Sequence, residues 1–328
     1  MAQGITRTPS RLVVIGIVTV TASLQAAAQR GVFRSGVDMV PLTVTVTDRA
    51  GQYVTGLERT DFTVLENGVP QALTFFSAGA VPIDVALVLD ASSSMTADMP
   101  LVRAAATGLI RSLRPEDRGA VLAVSSSVAM PQQFTINHDD LAAAIDALPA
   151  AGSTAVYDGL YIAMKELVRE RRVTTEVRRQ VLVLLSDGLD NASHVSAEDV
   201  ADMARRVGAV IYVVALTDPG LPAIEEQRRR ARERALFDMQ TLARDTGGRT
   251  FRPTTAVQLP DVYGAIAREL TSQYDLGYVP ETRADGGAFR RVAVRVRPPM
   301  GAVARTRSGY YAGRGSAHGH ISGGLAQE

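Results

Sequence analysis

The apolar positions of this chain change period twice, and the changes mark out its organisation. From Val40 to Asp48 the string VPLTVTVTD alternates strictly, with Val40, Leu42, Val44 and Val46 on one face and threonines on the other. Such alternation predicts a half-buried strand of an antiparallel sheet. RAGQ (49–52) turns the chain, and DFTVLENGVPQALTFF (61–76) carries Asn67-Gly68, a strong hairpin signal, between two further strands. The three or four short strands between about 38 and 79 are too few to stand alone.

From residue 80 the pattern becomes unbroken apolar runs separated by helical stretches. The runs are VALVL (85–89), GAVLAV (119–124), VLVLL (181–185) and AVIYVVAL (209–216). Period 3.6 is readable in LVRAAATGLIRSL, LAAAIDAL, VYDGLYIAMKELVRE, AEDVADMARRVG and LFDMQTLARDTGG, and the last helix is expected over about 256–273. Strands apolar on both faces and spaced by helices predict a doubly wound, mostly parallel sheet covered on both sides. Alternation returns at Tyr274, Leu276 and Tyr278, and again at Val292, Val294 and Val296; ADGG (284–287) turns between them and VARTRSGYY adds a further strand. Residues 36–79 and 274–312 each look incomplete. Their pairing gives a small antiparallel β-sandwich into which an α/β domain, 80–273, is inserted. The Gly/Ser-rich segment 313–328, which holds His318 and His320, reads as a disordered tail.

Composition adds four constraints. At 46% hydrophobic and 21% charged the chain is that of a folded protein. A formal net charge of +1 excludes a nucleic-acid partner held by a basic field. Arg7 and Arg11 precede the apolar run Leu12–Leu24 and the small residues Ala26–Ala28, so residues 1–28 read as a signal peptide; the alternative is a single membrane anchor, which the short apolar core and the small residues after it disfavour. Removal of residues 1–28 takes two of the 35 basic residues and none of the 34 acidic ones, leaving a net charge of −1 and no membrane span in the mature chain. The protein is therefore expected to be exported, to the periplasm, cell surface or medium. The absence of cysteine rules out disulfides, Cys-based zinc and thiol chemistry.

Candidate chemistry lies where the apolar strands end. The first ends in Asp90-x-Ser92-x-Ser94, the fourth strand-like segment (RRQVLVLLSDGLDN) in Ser186-Asp187-Gly188, and AAGSTAVYDGL puts Thr154 in a loop before a helix. Singly, a serine turn is most often a helix cap and an Asp-Gly pair most often a turn. Together they are all-oxygen donors at the carboxyl ends of adjacent strands, where α/β sheets bind ligands. Two carboxylates and neutral hydroxyls suit a hard cation such as Mg2+, with Mn2+ or Ca2+ as the alternatives, and leave it able to accept an outside anion.

The region 80–273 resembles a von Willebrand factor A domain, and DASSSM, GSTAVYDGL and LLSDGLDN resemble its metal-ion-dependent adhesion site. That resemblance implies Asp90, Ser92, Ser94, Thr154 and Asp187 as the metal ligands. Ser93 and Ser153 stand where the family commonly has glycine. VTVTDRAGQYVTGLERTDFTVLENG, ARDTGGRTF, YDLGYVP and RSGYYA extend the likeness over roughly 35–312 to a bacterial exported family of related proteins. The implied role is a non-enzymatic adhesion or scaffolding module, in which an exposed Asp or Glu of a protein partner completes the ion. By analogy, a shift of the last helix would couple that event to the sandwich.

Four further residues are expected beside the site: Asp158 and Asp190 as caps or loop ties, and Met95 and Asn191 as determinants of partner choice. Asp98 is expected to cap the first helix. The heavily charged run EEQRRRARERALF (225–237) reads as a solvated helix face or a surface excursion, with a binding role as the lesser alternative. The alternatives are an ion that merely staples loops in an envelope assembly, or a hydrolase. For the latter His194 lies seven residues beyond Asp187, but no G-x-S-x-G, S-x-x-K or phosphate-loop motif accompanies it.

Overall fold

The structure is a computed structural model. It describes Met1 and residues 39–79, 81–174, 176–187, 190–216, 226–281, 287–297 and 301–312, without the side chains of 226–228. The fold described below belongs to the unit Ser35–Glu328. The segment 1–28, the tail 313–328 and most of the 284–287 turn lie outside the described residues.

From residue 39 on, the described residues first form four short strands, β1 (Val40–Thr47), β2 (Phe62–Glu66), β3 (Val69–Gln71) and β4 (Leu73–Ala78). It then runs β5 (Ile83–Asp90), α1 (Met99–Arg111), β6 (Arg118–Val124), β7 (Val128–Thr135), α2 (His138–Asp146), α3 (Val156–Val173), β8 (Arg179–Ser186) and α4 (Ala197–Val207). After β9 (Val210–Ala215), α5 (Glu226–Asp245), β10 (Thr250–Phe251) and α6 (Leu259–Thr271) it closes with β11 (Tyr274–Tyr278), β12 (Phe289–Val296), β13 (Val303–Arg305) and β14 (Gly309–Tyr311).

The middle strands form one sheet ordered β10-β9-β8-β5-β6-β7, parallel but for β7 at its edge. Every residue of β5, β8 and β9 is buried, as unbroken apolar runs require of strands covered on both faces. Leu87 and Leu89 face the α1, α2 and α6 layer, while Ala86 and Val88 face α3, α4 and α5. Gly159 sets the spacing of the second layer, because a Cβ there would lie 2.4 Å from Val124 Cγ2. α3 therefore rests directly on β6.

The flanking strands form two antiparallel sheets, β13-β1-β11-β4 and β14-β12-β2-β3, each drawn from both ends of the chain. Val40, Leu42, Val44 and Val46 of the first sheet pack on Phe62, Val64, Val292 and Tyr310 of the second. The Asn67-Gly68 hairpin joins β2 to β3 with positive φ at both residues, 49° and 86°, the conformation such tight turns demand. The fold is thus a doubly wound sheet with an antiparallel sandwich.

β7 has no counterpart among the apolar runs of the sequence. It is an edge strand of alternating exposure with Pro131 inside it and two register shifts against β6, so it lacks the buried pattern of its neighbours.

Candidate metal centre

Asp90 is the last residue of β5 and has no solvent exposure. Its Oδ1 accepts from the Ser92 amide at 3.0 Å, which bends the chain out of the strand, and its Oδ2 accepts from Ser186 Oγ at 2.9 Å. Ser186 ends β8, whose register against β5 (Leu89 opposite Leu185) makes this bond inevitable. The sequence placed Ser186 at the strand end but gave it no role. Its signal was its place one residue before Asp187.

After Asp90 the chain turns through a short 3-10 helix, Ser93–Met95. Ser92 is buried and Ser94 is exposed, and their hydroxyl oxygens stand 3.0 Å apart. The Ala91 carbonyl accepts from the Ala151 amide at 2.8 Å, and the Ser93 amide donates to the Gly152 carbonyl at 3.0 Å. These bonds lock the serine loop to the loop that carries Thr154.

Thr154 is 3% exposed, and its backbone is held by the next loop. Its amide donates to Asn191 Oδ1 (2.9 Å), and its carbonyl accepts from the amides of Asn191 (3.0 Å) and Ala192 (3.1 Å). Among the described residues, no hydrogen bond engages its hydroxyl. Asp187 is partly buried just past β8, and its charge bears on Asp90. Arg232 of α5 donates from Nε to the Asp187 carbonyl (2.9 Å) and from Nη2 to that of Leu216 (3.0 Å).

The carboxylates of Asp158 and Asp190 are spent on protein donors. Asp190 accepts from the Tyr157 amide in the first turn of α3 (3.0 Å) and from the Ser193 hydroxyl (2.6 Å) and amide (3.2 Å). Asp158 accepts from the His194 amide (3.0 Å), the Val195 amide (2.9 Å) and His194 Nδ1 (3.1 Å). Burial pushes the Asp158 pKa up, but the bonds from Val195 and His194 outweigh it and hold the group below its ordinary value. Both residues are loop ties, and His194 is turned to Asp158 rather than to a serine.

Two expectations need correction. Met95 is 1% exposed within the α1 layer, so its apolar side chain plugs the core beneath the loop and cannot meet a partner. Asp98 sits at the N-cap of α1 without a side-chain cap bond. Its φ and ψ, −92° and −12°, are already helical, whereas a capping side chain needs extended backbone to reach the helix amides.

The electrostatics of Asp90 set it apart. β5 carries a second fully buried acid, Asp84, which takes Arg118 (2.8 Å) and Arg178 (2.6 Å). Asp90 has no ion pair among the described residues. Burial, and secondarily the charge of Asp187, raise its pKa from 3.8 to about 6 against the opposing bonds from Ser92 and Ser186. Among the described residues no group of three or more His, Cys, Asp or Glu side chains could hold a metal. An ion here would need oxygen donors beyond carboxylates, which the serine and threonine hydroxyls offer.

The model of the von Willebrand factor type A domain matches residues 84–264, more than half of the chain. The chain belongs to the von Willebrand factor type A family. Members of this family are mostly non-enzymatic adhesion or structural modules, and type A domains typically bind a divalent metal at a metal-ion-dependent adhesion site.

Over 111 residues the chain is 34% identical to an uncharacterized protein of Synechocystis sp.. The match covers 33% of this chain and 26% of the other, so the chain spans about a quarter of the length of that curated relative. Among solved structures, the von Willebrand factor type A protein of Catenulispora acidiphila is 13% identical, with 85% of this chain and 74% of that one covered and a TM-score of 0.48. The mussel byssus proximal thread matrix protein 1, solved with zinc in its metal site, is 20% identical over 62% of this chain and 49% of its own, with a TM-score of 0.47. The same domain of the type V pili tip protein Mfa5 of Porphyromonas gingivalis is 15% identical over 57% and 94%, with a TM-score of 0.45. At such scores these structures add nothing to the family assignment, which rests on the domain match.

Proposed function

We propose that this type A domain is a metal-dependent protein-binding module of an exported protein. Asp90, Ser92, Ser94, Thr154 and Asp187 would hold a Mg2+-type ion, and a carboxylate of a protein partner would complete it. The observation that carries this reading is the contrast within β5: Asp84 has two guanidinium partners, while Asp90, equally buried, faces a second carboxylate and hydroxyls. A buried anion without a cation is costly, and a divalent ion would supply the missing charge.

The donor chemistry fits. The 3.0 Å between Ser92 Oγ and Ser94 Oγ matches the edge of an octahedron with Mg2+–oxygen bonds of about 2.1 Å, roughly 3.0 Å. The hydroxyls of Ser92 and Thr154 lie on buried residues, while Ser94 is exposed. The rise in exposure from Asp90 and Ser92 to Ser94 supports recognition of an outside group rather than a closed structural staple. When bound, the ion would supply a Lewis-acidic position for one anionic oxygen. The chain's own part is to hold the ligands through Ser186, Asn191 and the 151–152 loop.

Export belongs to the same proposal. Among the described residues no helix is long and apolar enough to cross a membrane. The segment 1–28 predicts a mature chain that starts at Gln29, which N-terminal sequencing of the secreted or periplasmic protein would check.

Calorimetric titration with Mg2+ and Mn2+ tests the site. Wild type should bind one equivalent and Asp90→Ala none; equal binding by both removes the proposal. Pull-down from an envelope extract with and without EDTA tests the role, because capture that ignores the chelator argues for a structural ion.

A further inference from the structure

β7 gave no sign of itself in the apolar pattern, yet the turn that leads into it reaches the candidate centre. That turn is Ser125-Ser126-Ser127, between β6 and β7. β6 lies directly beside β5, with Val124 opposite Asp90, so the turn stands next to the strand end that carries the buried acid. The Ser125 amide closes it by donating to the Ser127 carbonyl at 3.0 Å.

Two bonds from this turn straddle Thr154. The Ser153 amide donates to Ser126 Oγ at 2.9 Å, and the Ala155 amide donates to the Ser125 carbonyl at 3.0 Å. The Thr154 amide between them goes to Asn191 Oδ1. Three consecutive amides are thus taken, the outer two by the β6–β7 turn and the middle one by the loop after β8. Planar peptides held on both sides of a residue fix its backbone and the direction of its Cα–Cβ bond. A β-branched side chain has little freedom beyond that, so these amides set where the Thr154 hydroxyl lies.

Ser125 acts through its carbonyl, which any residue would supply, whereas Ser126 acts through its side chain. Gly152 makes room for it. The glycine holds a φ of +86°, and a Cβ there would lie 2.5 Å from Ser126 Oγ. The Ser126 hydroxyl therefore meets the threonine loop at two successive residues, by close packing at Gly152 and by a hydrogen bond at Ser153.

From this geometry we infer that Ser126 is a positioning residue for metal binding, whose hydroxyl holds the Ser153 amide and so keeps the Thr154 hydroxyl turned to the ion. The inference rests on the metal-bridged reading above and adds to it a residue outside the five ligands. It also gives the β6–β7 turn a part in the site.

Mg2+ titration calorimetry on three single variants tests it. Ser126→Ala should bind Mg2+ about three- to tenfold more weakly than wild type, at or below the lower end of what residues that orient metal ligands contribute. Ser126→Thr keeps the hydroxyl acceptor and should stay within about twofold of wild type. Ser127→Ala removes a neighbouring exposed hydroxyl that makes no hydrogen bond among the described residues, and should change nothing. Melting in EDTA is the second measurement. Ser126 is exposed, so without metal Ser126→Ala should melt within about 2 °C of wild type. Unchanged Mg2+ affinity in Ser126→Ala, an equal loss in Ser127→Ala, or no recovery in Ser126→Thr overturns this inference and leaves the metal-bridged reading standing. So does weaker binding accompanied by a larger drop in the EDTA melting temperature, because the hydroxyl would then support the fold and not the ligand. Absence of Mg2+ binding by wild type sinks both.

Discussion

Asp90 is ionised in a place that resists ionisation, and this makes the metal-free fold pay at neutral pH. Its pKa rises from 3.8 to about 6 on folding, chiefly through burial and then through Asp187. The folded chain therefore binds this proton more tightly than the unfolded chain. Stability falls as pH rises from about 3.8 to about 6, and the full penalty applies above that window. Two pKa units correspond to about 3 kcal/mol. Asp90→Asn keeps the shape and removes the charge. In EDTA the variant should melt above wild type at pH 7.5 and close to it at pH 4, with a difference of about 1–3 kcal/mol at the higher pH. Mg2+ should raise the wild-type melting temperature and leave the variant unmoved. A variant less stable than wild type in EDTA at pH 7.5 would show that the carboxylate is satisfied without an ion.

At the scale of elements, the site depends on how closely α3 lies on the sheet. Thr154 is two residues before α3, and Gly159, in its first turn and a half, touches Val124 and Val88. A methyl at 2.4 Å from Val124 Cγ2 must push helix and strand apart. Gly159→Ala should cost about 1–3 kcal/mol and weaken Mg2+ binding, because the Thr154 loop moves with the helix. The paired measurement is urea unfolding and calorimetric titration. Lost stability with unchanged affinity would mean that the loop is held by Asn191 and Ala192 alone. The strands that frame the site were legible because β5, β6, β8 and β9 are buried on both faces and read as apolar runs. Asp90, Ser92, Ser94 and Asp187 stood out as oxygens at the ends of apolar strands and Thr154 as a loop hydroxyl before a helix, while their reading as one ligand set came from the family resemblance. What the sequence hid depends on the third dimension. β7 is half solvated and holds a proline, so no apolar period announces it. Met95 looked like a loop residue because its burial arises from the turn of a 3-10 helix. Arg232 looked solvated because its acceptors lie 45 and 16 residues earlier in the chain.

Across the whole molecule, the last turn of α6 joins the parallel sheet to the sandwich through buried polar groups. Glu269 has no exposure and accepts from Tyr212 of β9 (2.7 Å), Tyr53 (3.1 Å) and Thr45 of β1 (3.3 Å), and it pairs with Arg305 of β13. Four residues on, Gln273 donates to Tyr212 and Thr45, and Arg179 at the start of β8 holds the Leu270 carbonyl and Asp275 of β11. A sliding α6 of the kind the family resemblance suggested would break most of these bonds at once, at a cost of several kcal/mol. The geometry favours a rigid joint, in which α6 transmits position rather than movement. Glu269→Ala leaves Arg305 without its carboxylate and Tyr212 without its acceptor, and should cost about 3–5 kcal/mol. Because those partners lie on both sides of the joint, the loss should also divide the unfolding. In scanning calorimetry wild type should melt in one transition and Glu269→Ala in two, the later one shifted upward by Mg2+ because the ligands sit on β5, β8 and the α3 loop. Glu269→Gln, which keeps the acceptor for Tyr212 and loses the charge for Arg305, should fall between. A single transition in all three would mean that the sheets are joined by apolar contact, with the polar network only filling the space between them.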